Sequence, residues 1–377
     1  MKPKIFVDGR SFDTEYQGTR TYIQNIYNII DKIGDLEVYV ASENPDFTAT
    51  FFPGSVNTHF IKYESKSKME RVLKEIPTLI SKHKLTAAHF QYVIAPFLKD
   101  VVQVVTIHDI LFKSFPAEFS YKYKLIKGCT FYLSAKKADI LTTVSEYSKA
   151  ALSQHYKIPA HKIHVIPNGV SPFYFESYNK EQSKIRISEK FNINNYILYV
   201  SRIEPRKNQL GLLKAYLELK LYERGKELVF VGVKSIEVPE IDHITNSLNS
   251  EIRSKIYFLE NISDQDLRLL YQAADLFVYP SKAEGFGIPP LEAGALKVPT
   301  ICSNTTAMAD FSFFGTNHIC PDISSIKNAI DSFYKNSPID LEAISKTIKE
   351  KYNWENSADN LNKLILSKAK KASISTQ

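Results

Sequence analysis

Two glutamates, Glu284 and Glu292, stand with seven residues between them in the string EGFGIPPLE. Before them runs a short apolar β-type stretch, Leu276 to Tyr279, bounded by Asp275 and Pro280, the pattern of a buried strand. After the Gly-Phe-Gly turn, Pro289 and Pro290 open a helix, where the N–H that proline lacks would have no intrahelical partner. A strand, a glycine turn and a helix start make an anion site. First-turn N–H groups point outward and the helix dipole adds partial positive charge. Glycine lets a phosphate approach the backbone with no Cβ in the way. The two carboxylates separate this stretch from an ordinary phosphate loop. One can face a ligand's sugar while the other holds a ribose, with phosphates between. Taken alone, the same spacing also fits a plain strand-to-helix crossover with solvated glutamates.

Two further groups have chemical potential. The loop SRIEPRKNQ follows the apolar run Tyr196 to Val200 and places Arg202, Arg206 and Lys207 within six positions. Such cations repel one another unless an anion lies between them. Arginine offers phosphate a planar fork, and lysine a point charge. His108 and Asp109 end the run Val101 to Ile107. Ligands of open α/β sheets bind outside the carboxyl ends of strands, so this imidazole points at a cleft. A weaker candidate is the polar loop with Gly18, Thr19 and Arg20 after the first strand, Lys4 to Asp8, ahead of a helix expected from about Thr21.

Together EGFGIPPLEA, EPRKN, TIHDILFKSFP and the closing string KYNWENSADNLNKLIL resemble the retaining glycosyltransferases of family 4, and the resemblance runs from Lys4 to about Leu366. It implies the GT-B architecture, two Rossmann-like domains facing across a cleft, and a nucleotide-sugar donor held mainly by the second. By this resemblance Arg202 and Lys207 clamp the donor diphosphate and Arg206 adds to its binding. His108 contacts the donor sugar, Glu284 holds its hydroxyls and Glu292 the ribose. Backbone N–H groups of Phe286, Gly287 and Ile288 complete the phosphate site. Ile262 lies by the base, and Gly18 and Thr19 lie against the phosphates. The sequence departs from the family pattern in places: Thr19-Arg20-Thr21 replaces a second glycine, Ser201 stands where glycine is usual, and Ala309 and Asp310 replace proline and glutamate.

These residues need two sheets to hold them. Short apolar runs alternate with helical patterns through the chain, which argues α/β units with open parallel sheets. The expected division is residues 1–172 for an acceptor domain, joined by a returning helix at about 355–368, and 173–354 for the donor domain. The tail after Lys368 reads as disordered. Asp264-Gln265-Asp266 spells Asp-x-Asp, but Ser263 with Asp266 three residues on is a capping box. Leu267, Leu270, Tyr271 and Ala274 continue it as one helix face. No metal ligand is expected there, and no cofactor.

The 377 residues carry 48 Lys/Arg against 41 Asp/Glu, a net +7. Between Met1 and Pro172 the count is 22 against 16, so the excess sits in the first half. Lys66 to Lys84 and Tyr121 to Lys137 are basic and amphipathic. Such helices are often ordinary surface helices, but they also suit an anionic membrane, a lipid phosphate or a nucleic acid. In the first, Met69, Leu73, Ile76, Leu79 and Ile80 form the apolar side. Three cysteines give neither a disulfide framework nor a zinc spacing, and a reducing cytoplasm fits them. The start has no signal-peptide pattern, and no run is long and apolar enough to span a membrane.

The resulting expectation is a metal-independent, retaining hexosyl transfer from a nucleotide sugar, GDP-mannose first among donors. It most resembles bacterial mannosyltransferases of surface-polysaccharide assembly. The acceptor is a hydroxyl of a saccharide or of a polyprenyl-diphosphate-linked saccharide at the inner face of the cytoplasmic membrane. No nucleic-acid partner is expected. A GT-B nucleotide-sugar epimerase and a non-catalytic GT-B partner subunit stand as alternatives.

Overall fold

A computed structural model describes residues 2–13, 18–335 and 339–375, with side chains described up to 370. It divides into two compact units, Met1–Gly169 with Trp354–Gln377, and Val170–Asn353.

In the first unit, β1 (Lys4–Asp8), β2 (Glu37–Ser42), β3 (Thr58–Lys62), β4 (Ala87–Gln91), β5 (Val102–Thr106), β6 (Ile140–Thr143) and β7 (Ile163–Val165) form one sheet in the order β3-β2-β1-β4-β5-β6-β7. In the second, β8 (Tyr196–Val200), β9 (Glu227–Val231), β10 (Ile256–Leu259), β11 (Leu276–Tyr279), β12 (Thr300–Ser303) and β13 (His318–Ile319) take the order β10-β9-β8-β11-β12-β13. Every pairing in both is parallel. Helices cover both faces, which is why strands such as Leu276–Tyr279 are uninterrupted apolar runs, buried at every position. Each strand order reverses once, between β1 and β4 and between β8 and β11. Such switch points open a crevice at the carboxyl ends of the strands.

Three local expectations are corrected. Gly18 and Thr19 are not in a loop: the helix Gly18–Ile33 already includes them. The basic stretch from Lys68 is helical but not uniform. Lys68–Glu70 passes into a π turn, Arg71–Glu75, and then into Ile76–Lys82. Pro77 has no N–H to return to the preceding turn, and the wider turn absorbs that loss. Ile76 and Ile80 are buried, whereas Met69 and Leu73 are exposed, so only the second half of the expected apolar side packs. The last helix runs on from Trp354 to Ser375, past Lys368, through lysines and alanines with high helix propensity. In the first unit this helix buries Trp354, Leu361 and Ile365, packs on Gly18–Ile33, and gives the Ser357 hydroxyl to the Pro167 carbonyl at 2.8 Å.

No helix among the described residues is long and apolar enough to cross a membrane. The cysteines are all free; Cys302 is buried, and Cys129 and Cys320 are exposed.

Candidate active site

The switch point of the second sheet gathers the charged residues. The loop after β8 ends in the short turn Pro205–Lys207, and the loop after β11 delivers Glu284. Lys207 Nζ donates to Glu284 Oε1 at 2.7 Å and Oε2 at 2.8 Å, and lies 3.2 Å from the Tyr279 hydroxyl. Tyr279 donates to Glu284 Oε1 at 2.7 Å. The Glu284 N–H donates to Thr306 Oγ1 at 2.9 Å, which fixes the start of the glycine turn. Arg206 reaches Glu284 at 3.3 Å, the Ala283 carbonyl at 2.9 Å and Glu204 at 2.9 Å. Burial works to raise the Glu284 carboxyl, but Lys207 and Arg206 outweigh it and hold it down at about 2. Lys207 is lowered by burial, which the attraction of Glu284 only partly offsets.

Arg202 stands apart. Its side chain is 52 % exposed, and it meets the cluster through Glu204 at 3.3 Å. The structure therefore joins Arg206, Lys207 and Glu284 and leaves Arg202 as the accessible cation. Glu204, buried between the two arginines, had no role assigned from sequence, nor had Tyr279. The signal for Glu204 was its place between Arg202 and Arg206 in RIEPR.

Gly287 caps the helix Ile288–Ala295 with φ +93°, and a Cβ there would meet the Met308 side chain at 2.7 Å. Both the backbone angle and the space require glycine. Pro289 and Pro290 bring no N–H, so the donors at this helix start come from Phe286, Gly287 and Ile288. Glu292 turns away from the Lys207 cluster to accept from the Tyr271 hydroxyl at 3.1 Å. Burial raises its carboxyl to about 7, against the hydrogen bonds from Tyr271 and Tyr174. Ile262, half-buried, follows β10 at the same edge of the sheet, after Asn261 in the left-handed region. Asp264 and Asp266 start the helix Asp264–Ala273. Ser263 accepts from the Asp266 N–H at 3.2 Å, and Asp266 also pairs with Lys190 at 2.7 Å.

In the first unit, His108 follows β5 and is buried. Tyr22 meets its ring edge-on at 5.1 Å, and Tyr92 lies 5.4 Å away. Tyr92 has φ +65° and stacks on Phe131 at 4.8 Å. A bulky residue held in the left-handed region marks a wall set by surrounding contacts. His108 Nε2 lies 2.6 Å from Gln91 Oε1, and burial lowers its pKa to about 3. Asp109 accepts from the Leu111 N–H at 3.1 Å and so shapes the following turn. Gly18 is exposed at the start of its helix, with open space around it.

Two doubly wound parallel sheets, one carrying a paired lysine and glutamate beside a glycine-capped helix at its switch point, define the GT-B class of α/β proteins. Residues 18–172 match the model of Glycosyltransferase Family 4, and residues 180–351 that of Glycosyl transferases group 1. The chain thus carries a glycosyltransferase family 4 domain followed by a glycosyl transferases group 1 domain. It is 31% identical over 208 residues to O-antigen chain mannosyltransferase B of Escherichia coli, a match over 55% of this chain and 54% of that one. It is 31% identical over 238 residues to O-antigen chain mannosyltransferase RfbU of Salmonella typhimurium, over 62% of each. The matches thus span just over half the length of these relatives. Among solved structures, Alr3699/HepE of Anabaena in complex with UDP-glucose superposes with a TM-score of 0.74 at 16% identity, over 97% of this chain and 99% of that one.

Proposed function

We propose that this chain transfers a hexose, mannose before other sugars, from a nucleotide-sugar donor such as GDP-mannose to a hydroxyl of a saccharide or polyprenyl-diphosphate-linked saccharide. Transfer retains the anomeric configuration and uses no metal. The bond from the anomeric carbon to the β-phosphate oxygen breaks, the acceptor oxygen bonds that carbon on the same face, and the acceptor proton is lost. Negative charge gathers on the leaving diphosphate. Preorganised cations stabilise such charge most where water is scarce. Lys207 and Arg202 serve the diphosphate with the N–H groups of Phe286, Gly287 and Ile288, and Arg206 fixes their geometry. Glu284 takes donor-sugar hydroxyls, Glu292 the ribose, and His108 a donor-sugar group.

The observation that carries this reading is the Lys207–Glu284 pair, flanked by Arg206, at the switch point of the second sheet. The mannosyltransferase relatives support the choice of sugar, and the UDP-glucose complex of HepE supports a nucleotide-sugar donor. The test is product analysis with GDP-mannose and a panel of other nucleotide sugars, with and without a saccharide acceptor. An acceptor-dependent glycoside with the donor's anomeric configuration supports the proposal. An inverted product overturns retention, and epimerised donor without acceptor overturns transfer. We further propose peripheral association with the cytoplasmic leaflet, supported by the exposed basic and apolar face of the helix Tyr121–Lys137.

A further inference from the structure

Glu284 reaches its cluster at the end of an irregular segment, Ser281 to Glu284, and much of what holds that segment lies in the loop after β12, outside the two charged motifs. β11 and β12 pair in parallel, Tyr279 opposite Cys302, so their loops leave the sheet side by side. The carbonyls of Ser281, Lys282 and Ala283 each meet a side-chain donor. Ser303 Oγ donates to the first at 2.6 Å, Thr305 Oγ1 to the second at 3.0 Å and Arg206 to the third at 2.9 Å. From the loop after β8, the Arg206 carbonyl accepts the Lys282 N–H at 2.8 Å.

Thr306 closes this clamp and breaks a local rule in doing so. Its φ is +54°, in the left-handed region. There Cβ crowds the following carbonyl oxygen, and a β-branched residue is a genuine outlier. Thr306 Oγ1 accepts from the Glu284 N–H at 2.9 Å and donates to the Thr305 carbonyl at 2.7 Å, so its one proton and a lone pair are both used. The next residue returns to the same place, the Ala307 N–H lying 3.4 Å from the Glu284 carbonyl. Thr306 and Ala307 thus grip the backbone of Glu284 at both its N–H and its C=O. Glycine would adopt this φ freely, but it has no hydroxyl. Backbone strain of this kind persists only where surrounding contacts over-determine it, and such places cluster at active sites.

We infer that Thr306 is a positioning residue for transfer, whose hydroxyl, held in the left-handed conformation, fixes the Glu284 backbone so that the carboxylate meets Lys207 and a donor-sugar hydroxyl together. The clamp lies within one unit. Its effect on transfer rests on the donor-sugar role proposed for Glu284. A reacting group misplaced by about 1 Å can slow a reaction about a hundredfold, so a loosened backbone at Glu284 is felt in turnover.

The test compares Thr306→Val, Thr306→Ser and Thr306→Gly in the full chain. Valine keeps the shape and the strain without the hydroxyl, serine keeps the hydroxyl, and glycine removes hydroxyl and strain together. With the nucleotide sugar that the parent turns over, kcat should fall about tenfold or more in Thr306→Val and Thr306→Gly. Thr306→Ser should stay within about twofold of the parent. Thr306→Gly should melt no lower than Thr306→Val, so that lost turnover does not follow lost stability. Affinity for the matching free nucleoside diphosphate should change by less than about threefold in all three. Parent-like kcat in Thr306→Val, recovery in Thr306→Gly, or a Thr306→Ser as slow as Thr306→Val each overturns the inference. So does an equal fall in nucleoside diphosphate affinity, because the whole phosphate site would then have loosened. A crystal structure of the parent needs no turnover: it should show the positive φ and the Oγ1 contact, and a negative φ at Thr306 overturns the inference. Glu284→Gln separates the two readings. Parent rates in that variant overturn the donor-sugar role of Glu284, whereas a slow Glu284→Gln beside a parent-like Thr306→Val overturns the clamp alone.

Discussion

Lys207 Nζ sits 2.7 Å and 2.8 Å from the two oxygens of Glu284, so the charged residues of two motifs hold each other in place. Removing one partner of a buried pair strands the other charge, at a cost of about 3–5 kcal/mol. Lys207→Ala should therefore lower stability on that scale in urea unfolding, and cut both donor affinity and turnover. Arg202 is different, because its side chain is half exposed and meets the cluster only through Glu204. Arg202→Ala should leave stability within about 0.5 kcal/mol of the parent, yet weaken nucleoside diphosphate binding in a calorimetric titration. Unchanged affinity would remove Arg202 from the diphosphate clamp. Parent-like activity in Lys207→Ala would do the same for the lysine.

The two glutamates of the motif should show opposite pH behaviour. Burial raises Glu292 to about 7 from an ordinary value of 4.5. Its contribution to stability is thus complete below about 4.5 and is lost as pH rises through about 7. Glu292→Gln should gain on the parent across that window, by up to about 3 kcal/mol. Glu284 is held at about 2, so its contribution is present above 4.5 and is lost as pH falls toward 2. Glu284→Gln should therefore differ from the parent least in strong acid. If Glu292 takes ribose hydroxyls as a carboxylate, nucleotide binding near pH 7 releases a proton. Binding enthalpies in buffers of different ionisation enthalpy measure that release, and equal enthalpies would argue against the ribose role.

Asp264 and Asp266 carry the prediction on metal. Asp266 is occupied by the Ser263 cap and by Lys190, which leaves the pair serving a helix start. Transfer should survive EDTA, and Asp264→Asn should be active. Ser263→Ala should cost about 1 kcal/mol of stability, the usual price of a lost cap. Loss of activity in EDTA with rescue by manganese or magnesium would reverse this reading.

The sheets were legible because strands buried on both faces must be apolar throughout, and Tyr196 to Val200 and Leu276 to Tyr279 could be little else. The cap at Ser263 was legible for a similar reason, since its chemistry is local. What escaped depends on side-chain direction within irregular backbone, which has no period to read. Arg202 and Arg206 look equivalent in SRIEPRKNQ, yet one is pinned by Ala283 and Glu284 and the other is exposed. Tyr279 reads as one more apolar strand position, and only the fold turns its hydroxyl onto Glu284. His89 lies 17 residues before Thr106 and Gln91 lies 17 before His108, and only the pairing of β4 with β5 brings them together.

The exposed face of the helix Tyr121–Lys137 carries the last prediction. Leu125, Ile126 and Leu133 are 62%, 49% and 48% exposed, beside exposed Tyr121 and Tyr132. Lys122, Lys136 and Lys137 are exposed on the same helix. Three of the helix lysines also serve the fold, Lys124 at the Pro116 carbonyl at 2.9 Å, Lys127 over Phe131 at 5.5 Å and Lys136 at the Lys157 carbonyl at 3.1 Å, which leaves Lys122 and Lys137 for the variants. An apolar strip bordered by lysine and tyrosine suits the interface of an anionic bilayer. Each lysine near such a surface contributes about 1 kcal/mol, screened by salt. The chain should therefore sediment with anionic vesicles at low salt and less so at high salt, and hardly at all with neutral ones. Lys122→Glu with Lys137→Glu should abolish the salt-sensitive part, and Leu125→Ser with Leu133→Ser should weaken binding at every salt concentration. Nucleoside diphosphate affinity should stay unchanged in both, because these side chains lie outside the donor motifs. Equal partition into neutral vesicles, or none at low salt, would leave this face as ordinary solvated surface.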